Sequence, residues 1–326
     1  MPHHLSENLW LIGAGYMALE YAKVLKNQNF PFEVIGRSKN NALQFMNKTG
    51  ITPKIGGIEK VLRRSSLIPE SAIVAVSGDQ LATVTLTLLE QGVNRILVEK
   101  PAGLDLNEIA KLKKAAENFN ARVYVAYNRR FYASVLTALD IIENDGGVSS
   151  FSFEFTELSH KIVKLKKSER VKRQWFWANS THVIDMAFFL GGKPKEICCY
   201  STGGTDWHPS ASSFSGAGKT AKSALFSYNA NWEAPGRWGI EVLTPNCRLV
   251  FRPLEQLHVQ KLGSFSVESI HIDDKLDIAF KPGLYRQVEA FLTSNQSKWL
   301  KTIQEQYTDA KDIYAKIINS NITSSQ

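Results

Sequence analysis

An α/β half followed by an α+β half with an open, mostly antiparallel sheet is the fold class that this 326-residue chain predicts. Three observations predict it. Short apolar runs alternate with helical periodicity as far as Tyr127, and a glycine-rich turn joins the first run to the first helix. Beyond a helix near Ala133 the pattern changes to strands rich in alternating, β-branched or aromatic residues. A composition 44% hydrophobic and 21% charged suits two packed cores and excludes a chain dominated by disorder.

The first strand, Leu9 to Ile12, turns through Gly13-Ala14-Gly15 and continues as an amphipathic helix from about Tyr16 and Met17. Gly13 lets the chain turn tightly, Gly15 lets backbone approach a pyrophosphate, and Ala18 lets the helix lie close to the strand. The helix N-terminus then offers unpaired N–H groups and the favourable dipole end to phosphates. A second strand, Phe32 to Ser38, ends where a dinucleotide domain meets the adenosine ribose. A carboxylate there would mark NAD, whereas Gly36-Arg37-Ser38 supplies a guanidinium fork and a small donor suited to a 2′-phosphate, so NADP is expected ahead of NAD.

Ser71 to Gly78 reads as a buried strand with a polar end at Ser77, Asp79 to Gly92 as a helix, and Val93 to Lys100 as the returning strand of a βαβ unit. Parallel strands place their C-terminal ends in one crevice, and Glu99-Lys100-Pro101 stands at such an end. A helix from Asp105 to Ala121 and a strand running into Asn128-Arg129-Arg130 complete a dinucleotide-binding Rossmann domain over 1–127. The domain expected over 128–326 begins with a helix at Ala133 to Glu143. Strands follow in "SSFSFEFTEL", "EICCYS", "KSALFSYNANW", "WGIEVLT", "CRLVFRP" and "LHVQKL".

One helix of the second half, Ala178 to Gly192, has Asn179 or Ser180 to cap it and carries His182 and Asp185 three residues apart. A carboxylate partner would fix the histidine's tautomer and raise its basicity; a polar pair at a helix start is the blander alternative.

The glycine turn at Gly13 to Gly15, "EKP" at Glu99 to Pro101, "NRRF" at Asn128 to Phe131 and the "HxxD" of His182 and Asp185 together resemble the glucose-fructose oxidoreductase, inositol dehydrogenase and rhizopine catabolism family, Gfo/Idh/MocA. The resemblance runs over nearly the whole chain. It implies a nicotinamide-dependent enzyme that moves hydride to or from a carbon of a sugar or nucleotide-linked sugar, in surface polysaccharide metabolism. In that family Lys100 would touch the cofactor and the reacting hydroxyl, and His182 would exchange the proton. Cofactor contacts are implied for Gly13, Gly15, Tyr16, Met17, Arg37, Ser38, Ser77, Glu99, Lys100, Pro101 and Asn128. Asn179, Asp185, Arg129 and Trp177 are expected as substrate contacts or support, and Arg237, on the strand-linking turn "WEAPGRWG" with aromatics around it, as the contact for a substrate anion. The family commonly has an aspartate four residues before the histidine; this chain has Ala178, with Asn179 beside it.

Two other classes stay open: a non-catalytic NAD(P)-binding sensor or regulator, and a cofactor-recycling isomerase, hydrolase or lyase. Presence of both Lys100 and His182 weighs against the sensor, since a binding module needs neither at a hydride site.

Lysine plus arginine number 39 against 31 acids, a formal charge of +8, and seven of the basic residues crowd Lys161 to Arg173. This tract suits either an anionic small ligand or simple solvation, and calls for no nucleic acid. No apolar stretch reaches the length of a membrane span, and the three cysteines Cys198, Cys199 and Cys247 lack metal-ligand or disulfide spacing. A cytoplasmic homodimer or homotetramer without a metal is expected.

Overall fold

The computed structural model describes residues 8–64, 68–293 and 297–319; the serine-rich tail from Ser320, expected to fray, lies outside the described residues. The chain divides into two compact units, Met1–Asn128 with Leu276–Thr308, and Arg129–Lys275 with Asp309–Gln326.

In the first unit six parallel strands, β1 (Leu9–Ile12), β2 (Phe32–Gly36), β3 (Lys54–Ile55), β4 (Ser71–Val74), β5 (Arg95–Glu99) and β6 (Arg122–Ala126), lie in the order β3-β2-β1-β4-β5-β6. The order reverses beside β1, which makes the doubly wound switch point at which such sheets take dinucleotides. Every residue of β1 and β4 is buried, as expected of strands covered on both faces.

Leu276–Thr308, which the sequence reading places with the second half, packs into this first unit. Its helix Leu284–Thr293 buries Leu284, Val288 and Phe291, and Gln28 Nε2 donates to Tyr285 O at 3.1 Å. Arg95 Nε donates to Phe291 O at 3.1 Å, and Lys301–Thr302 adds an antiparallel edge to β6. All of these contacts are distant in sequence, so local periodicity cannot reveal them.

The second unit is built on eight strands: β7 (Ser150–Glu154), β8 (Pro194–Thr202), β9 (Ser213–Thr220), β10 (Leu225–Asn231), β11 (Gly239–Leu243), β12 (Cys247–Phe251), β13 (His258–Lys261) and β14 (Glu268–Ser269). Their order is β14-β13-β12-β11-β7-β10-β9-β8, and among the described residues only the β7–β10 pair in this sheet is parallel. Strict alternation in β10 buries Phe226, Tyr228 and Ala230 on one face and exposes Ser227 and Asn229 on the other. The buried face receives the helix Thr181–Gly191 through Phe188, whose ring lies 5.0 Å from Phe226 and 5.7 Å from Phe151. Each such fully buried side chain contributes roughly 1.5 to 3 kcal/mol by burial.

Strand β9 is absent from the sequence reading because "SFSGAGKT" has poor strand propensity. Its glycines are demanded by packing: a Cβ on Gly216 would lie 2.4 Å from the Tyr228 ring, and one on Gly218 2.1 Å from Glu196 O. The basic tract folds as two short helices, Ser159–Ile162 and Glu169–Arg173, with Lys164, Lys166 and Lys167 exposed between them. Among the described residues no helix is long and apolar enough to cross a membrane.

Candidate active site

The first unit gathers its chemistry along the C-terminal edge of its parallel sheet. Gly13 follows β1, Arg37 follows β2, Ser77 follows β4, Lys100 follows β5 and Asn128 follows β6. The two glycines of the first turn differ in what they serve. Gly13 has φ 128°, and a Cβ there would sit 2.3 Å from Ala75 O, so the protein itself forbids a side chain. At Gly15 an added Cβ would meet no protein atom within 4 Å. The free space opens at the N-terminus of the helix Tyr16–Asn27, which suits a phosphate approaching the backbone. Tyr16 is exposed and Met17 half-buried beside it.

Arg37 is exposed, and Ser38 Oγ accepts from Asn41 N at 3.4 Å, capping the helix Lys39–Thr49 while its own O–H stays a donor. At the end of β5, Tyr21 Oη donates to Glu99 Oε1 at 2.7 Å. Burial pushes the Glu99 carboxyl above its ordinary value, opposed by the Tyr21 hydroxyl and the Lys100 and Lys281 charges. Lys100 is half-buried, the Lys100-Pro101 peptide is cis, and Gln306 Nε2 donates to Pro101 O at 3.0 Å. Asn128 Nδ2 donates to Pro282 O at 2.8 Å.

In the second unit His182 is 7% exposed. The helix that bears it differs at its start from the sequence reading: Asn179 and Ser180 do not cap it, because a π-helical turn, Phe176–Ser180, runs into it. Their side chains turn instead to a buried carboxylate. Asn179 Nδ2 lies 3.1 Å from both oxygens of Glu157, and Ser180 Oγ donates to Glu157 Oε1 at 2.8 Å. Asp185, read from sequence as the acid partnering His182, gives both oxygens to Arg130, at 2.8 Å from Nε and 2.8 Å from Nη2. Trp177 packs against Tyr314, edge to face at 6.0 Å.

Arg130 and Glu157 are the residues that sequence reasoning missed. Arg130 stood in view within "NRRF", but nothing local distinguishes it from Arg129. Glu157 ends a strand-like run, and only its burial marks it out.

A second buried histidine bears on stability. His208 is 1% exposed, its ring centroid is 4.6 Å from Trp232, and its Nδ1 lies 2.8 Å from Ala211 O. Burial lowers its pKa from the ordinary 6.5, against the Ala211 bond, which raises it. With the folded value depressed, the neutral ring's contribution is complete above pH 6.5 and is lost as pH falls through the folded value. The parent is therefore expected to lose melting temperature between pH 7 and pH 5 more steeply than His208→Gln. Equal slopes in a pH series of thermal melts would assign that loss to other groups.

The family described as an oxidoreductase family with an NAD-binding Rossmann fold, Gfo/Idh/MocA, matches residues 8–127. No curated protein sequence matches the chain. Among solved structures, levoglucosan dehydrogenase in complex with NADH and levoglucosan is 18% identical with a TM-score of 0.77, covering 98% of each chain. A UDP-N-acetylglucosamine 3-dehydrogenase from Acidithiobacillus ferrooxidans is 11% identical with a TM-score of 0.72, over 96% of this chain and 97% of that one. An oxidoreductase from Agrobacterium radiobacter, in complex with NAD+, L-tartaric acid and magnesium, is 14% identical with a TM-score of 0.75, over 98% and 97%. At these identities the likeness is one of fold.

Proposed function

Because the chain belongs, through residues 8–127, to the Gfo/Idh/MocA oxidoreductase family, we propose that it transfers hydride between a nicotinamide cofactor and a carbon of a sugar or nucleotide-linked sugar. The observation that carries the cofactor half is Gly15, where the protein leaves room for a Cβ yet places none, at a helix N-terminus on the switch point of the sheet. Nicotinamide, when bound, supplies the hydride chemistry. The sugar half is favoured by the paired presence of Lys100 and His182 and by the sugars that two of the similar structures are named for.

In this reading Lys100 donates to the substrate oxygen and stabilises its developing charge, while His182 takes the hydroxyl proton in oxidation and returns it in reduction. Glu157, through Asn179 and Ser180, holds the chain just before His182, a place where the resemblance leads one to look for an acid at position 178. The enzyme acts in the cytoplasm on surface polysaccharide precursors, as a homodimer or homotetramer. Incubation with NAD or NADP and a panel of sugars and nucleotide sugars tests the activity. A substrate-dependent change in absorbance at 340 nm supports a dehydrogenase, and product formation without net change or binding without product would overturn it.

NADP is the expected cofactor. The strand end Gly36-Arg37-Ser38 has no carboxylate for the ribose hydroxyls, and Arg37 can pair a 2′-phosphate through bonds of about 1.5 to 3 kcal/mol each. One such bond amounts to a preference of about tenfold or more. Competitive titration should show NADPH binding more tightly than NADH to the parent, with that advantage gone in Arg37→Ala; equal affinities, or an equal loss for both, would show that Arg37 does not select.

A further inference from the structure

We propose that Arg129 and Arg237, set on Trp238 beside His182, form an anion-recognising subsite that selects a sugar substrate bearing a phosphoryl or carboxylate group. The proposal rests on the sugar oxidoreductase reading above and narrows its substrate class. The Arg129 guanidinium carbon lies 4.9 Å from the Trp238 ring centroid and that of Arg237 lies 5.5 Å from it. The His182 ring is 6.4 Å from the same indole, tilted by 53°. One aromatic side chain thus holds two cations close to the imidazole.

Among the described residues no carboxylate neutralises these cations, and neither Arg129 nor Arg237 forms an ion pair. The nearby carboxylate of Glu154 is taken by Arg252 Nη2 at 2.9 Å and by the backbone N–H of Arg237 at 3.0 Å. A structural role for a pair of arginines ordinarily includes an acid, since bringing two like charges together costs energy unless a counter-charge joins them.

Two donors in the same cluster also want acceptors. Arg129 Nε and Trp238 Nε1 are buried and have no hydrogen-bond partner among the described residues, and Trp238 is only 7% exposed. Buried donors in proteins are nearly always paired. Two such donors in a cluster that carries two uncompensated cations point to an oxygen-rich acceptor from outside the chain. Phosphate and carboxylate groups match the guanidinium fork, and each offers enough lone pairs to take several donors. Arg237, exposed at the rim, can meet the anion as it arrives, and Arg129, half-buried, can hold it once seated.

The test is isothermal titration of the full-length protein, with NADP+ saturating, using glucose 1-phosphate, UDP-glucose, glucuronate and inorganic pyrophosphate against neutral glucose and methyl glucoside. At least one anion is expected to bind ten times or more tightly than the neutral sugars, and to lose that advantage in Arg237→Ala and Arg129→Gln. Arg237 is exposed, so its variant keeps the test open if Arg129→Gln fails to fold. Tryptophan emission should respond to the bound anion in the parent and not in Trp238→Phe. The inference falls if no anion binds, if neutral sugars bind as well as the anions, or if both arginine variants keep the parent's affinities. A phosphoryl or a carboxylate source is identified by which probe binds. Hydride transfer to or from neutral sugars alone would overturn this subsite and leave the oxidoreductase standing; anion binding with no hydride transfer to any sugar would do the reverse.

Discussion

His182→Ala is expected to lower turnover at saturating substrate by about 10²-fold or more, the ordinary scale for a lost general acid or base. The helix around His182 is anchored independently of its imidazole, by Phe188 against Phe151 and Phe226 and by the Arg130–Asp185 pair, so the loss should appear without unfolding. On the proposed reading Lys100→Met should also slow the chemical step, because it would remove the donor assigned to the substrate oxygen while keeping an unbranched chain of similar length. The decisive measurement is single-turnover hydride transfer, which bypasses product release. Near-parental rates in both variants would remove the two residues from the chemistry. A rise in KM with kcat unchanged would recast them as binding groups.

What could be read from the sequence was what is local. Leu9 to Gly15 form strand and turn within seven residues, and the structure accounts for both glycines separately, one by collision with Ala75 and one by open space. The charge that stops the apolar run places Lys100 at a strand end, and β5 does end at Glu99. The alternation of β10 and the apolar stripe through Phe188 likewise state their own faces. What stayed hidden depends on distance along the chain. The return of Leu276–Thr308 to the first unit, the β9 strand whose glycines exist for Tyr228 and Glu196, and the partners of Asp185 and Asn179 are all set by residues far away. Spacing alone puts Asp185 and His182 on one face of their helix, since residues three apart are neighbours. It does not disclose the guanidinium fork of Arg130, which comes from another part of the chain and reaches both carboxylate oxygens.

That fork carries the largest stability effect expected in the chain. Arg130 and Asp185 are buried, with side chains 5% and 1% exposed, and they meet through two bonds of 2.8 Å. Removing one member leaves the other charged and desolvated, which costs about 3 to 5 kcal/mol. Asp185→Asn and Arg130→Met should each approach this loss in urea denaturation. Arg130→Met gives up in addition the stacking of its guanidinium 4.7 Å from the Phe189 ring. Removing both together is different, because no lone charge remains: Arg130→Met with Asp185→Leu should recover most of the stability lost by either single variant. The same double variant separates folding from function. If the pair only secures the helix, hydride transfer returns with stability; if it also sets the orientation of the turn that carries His182, stability returns and turnover does not. A loss below about 1 kcal/mol in both single variants, the range of exposed pairs, would mean that water reaches these groups and that the helix is held by its aromatic packing alone.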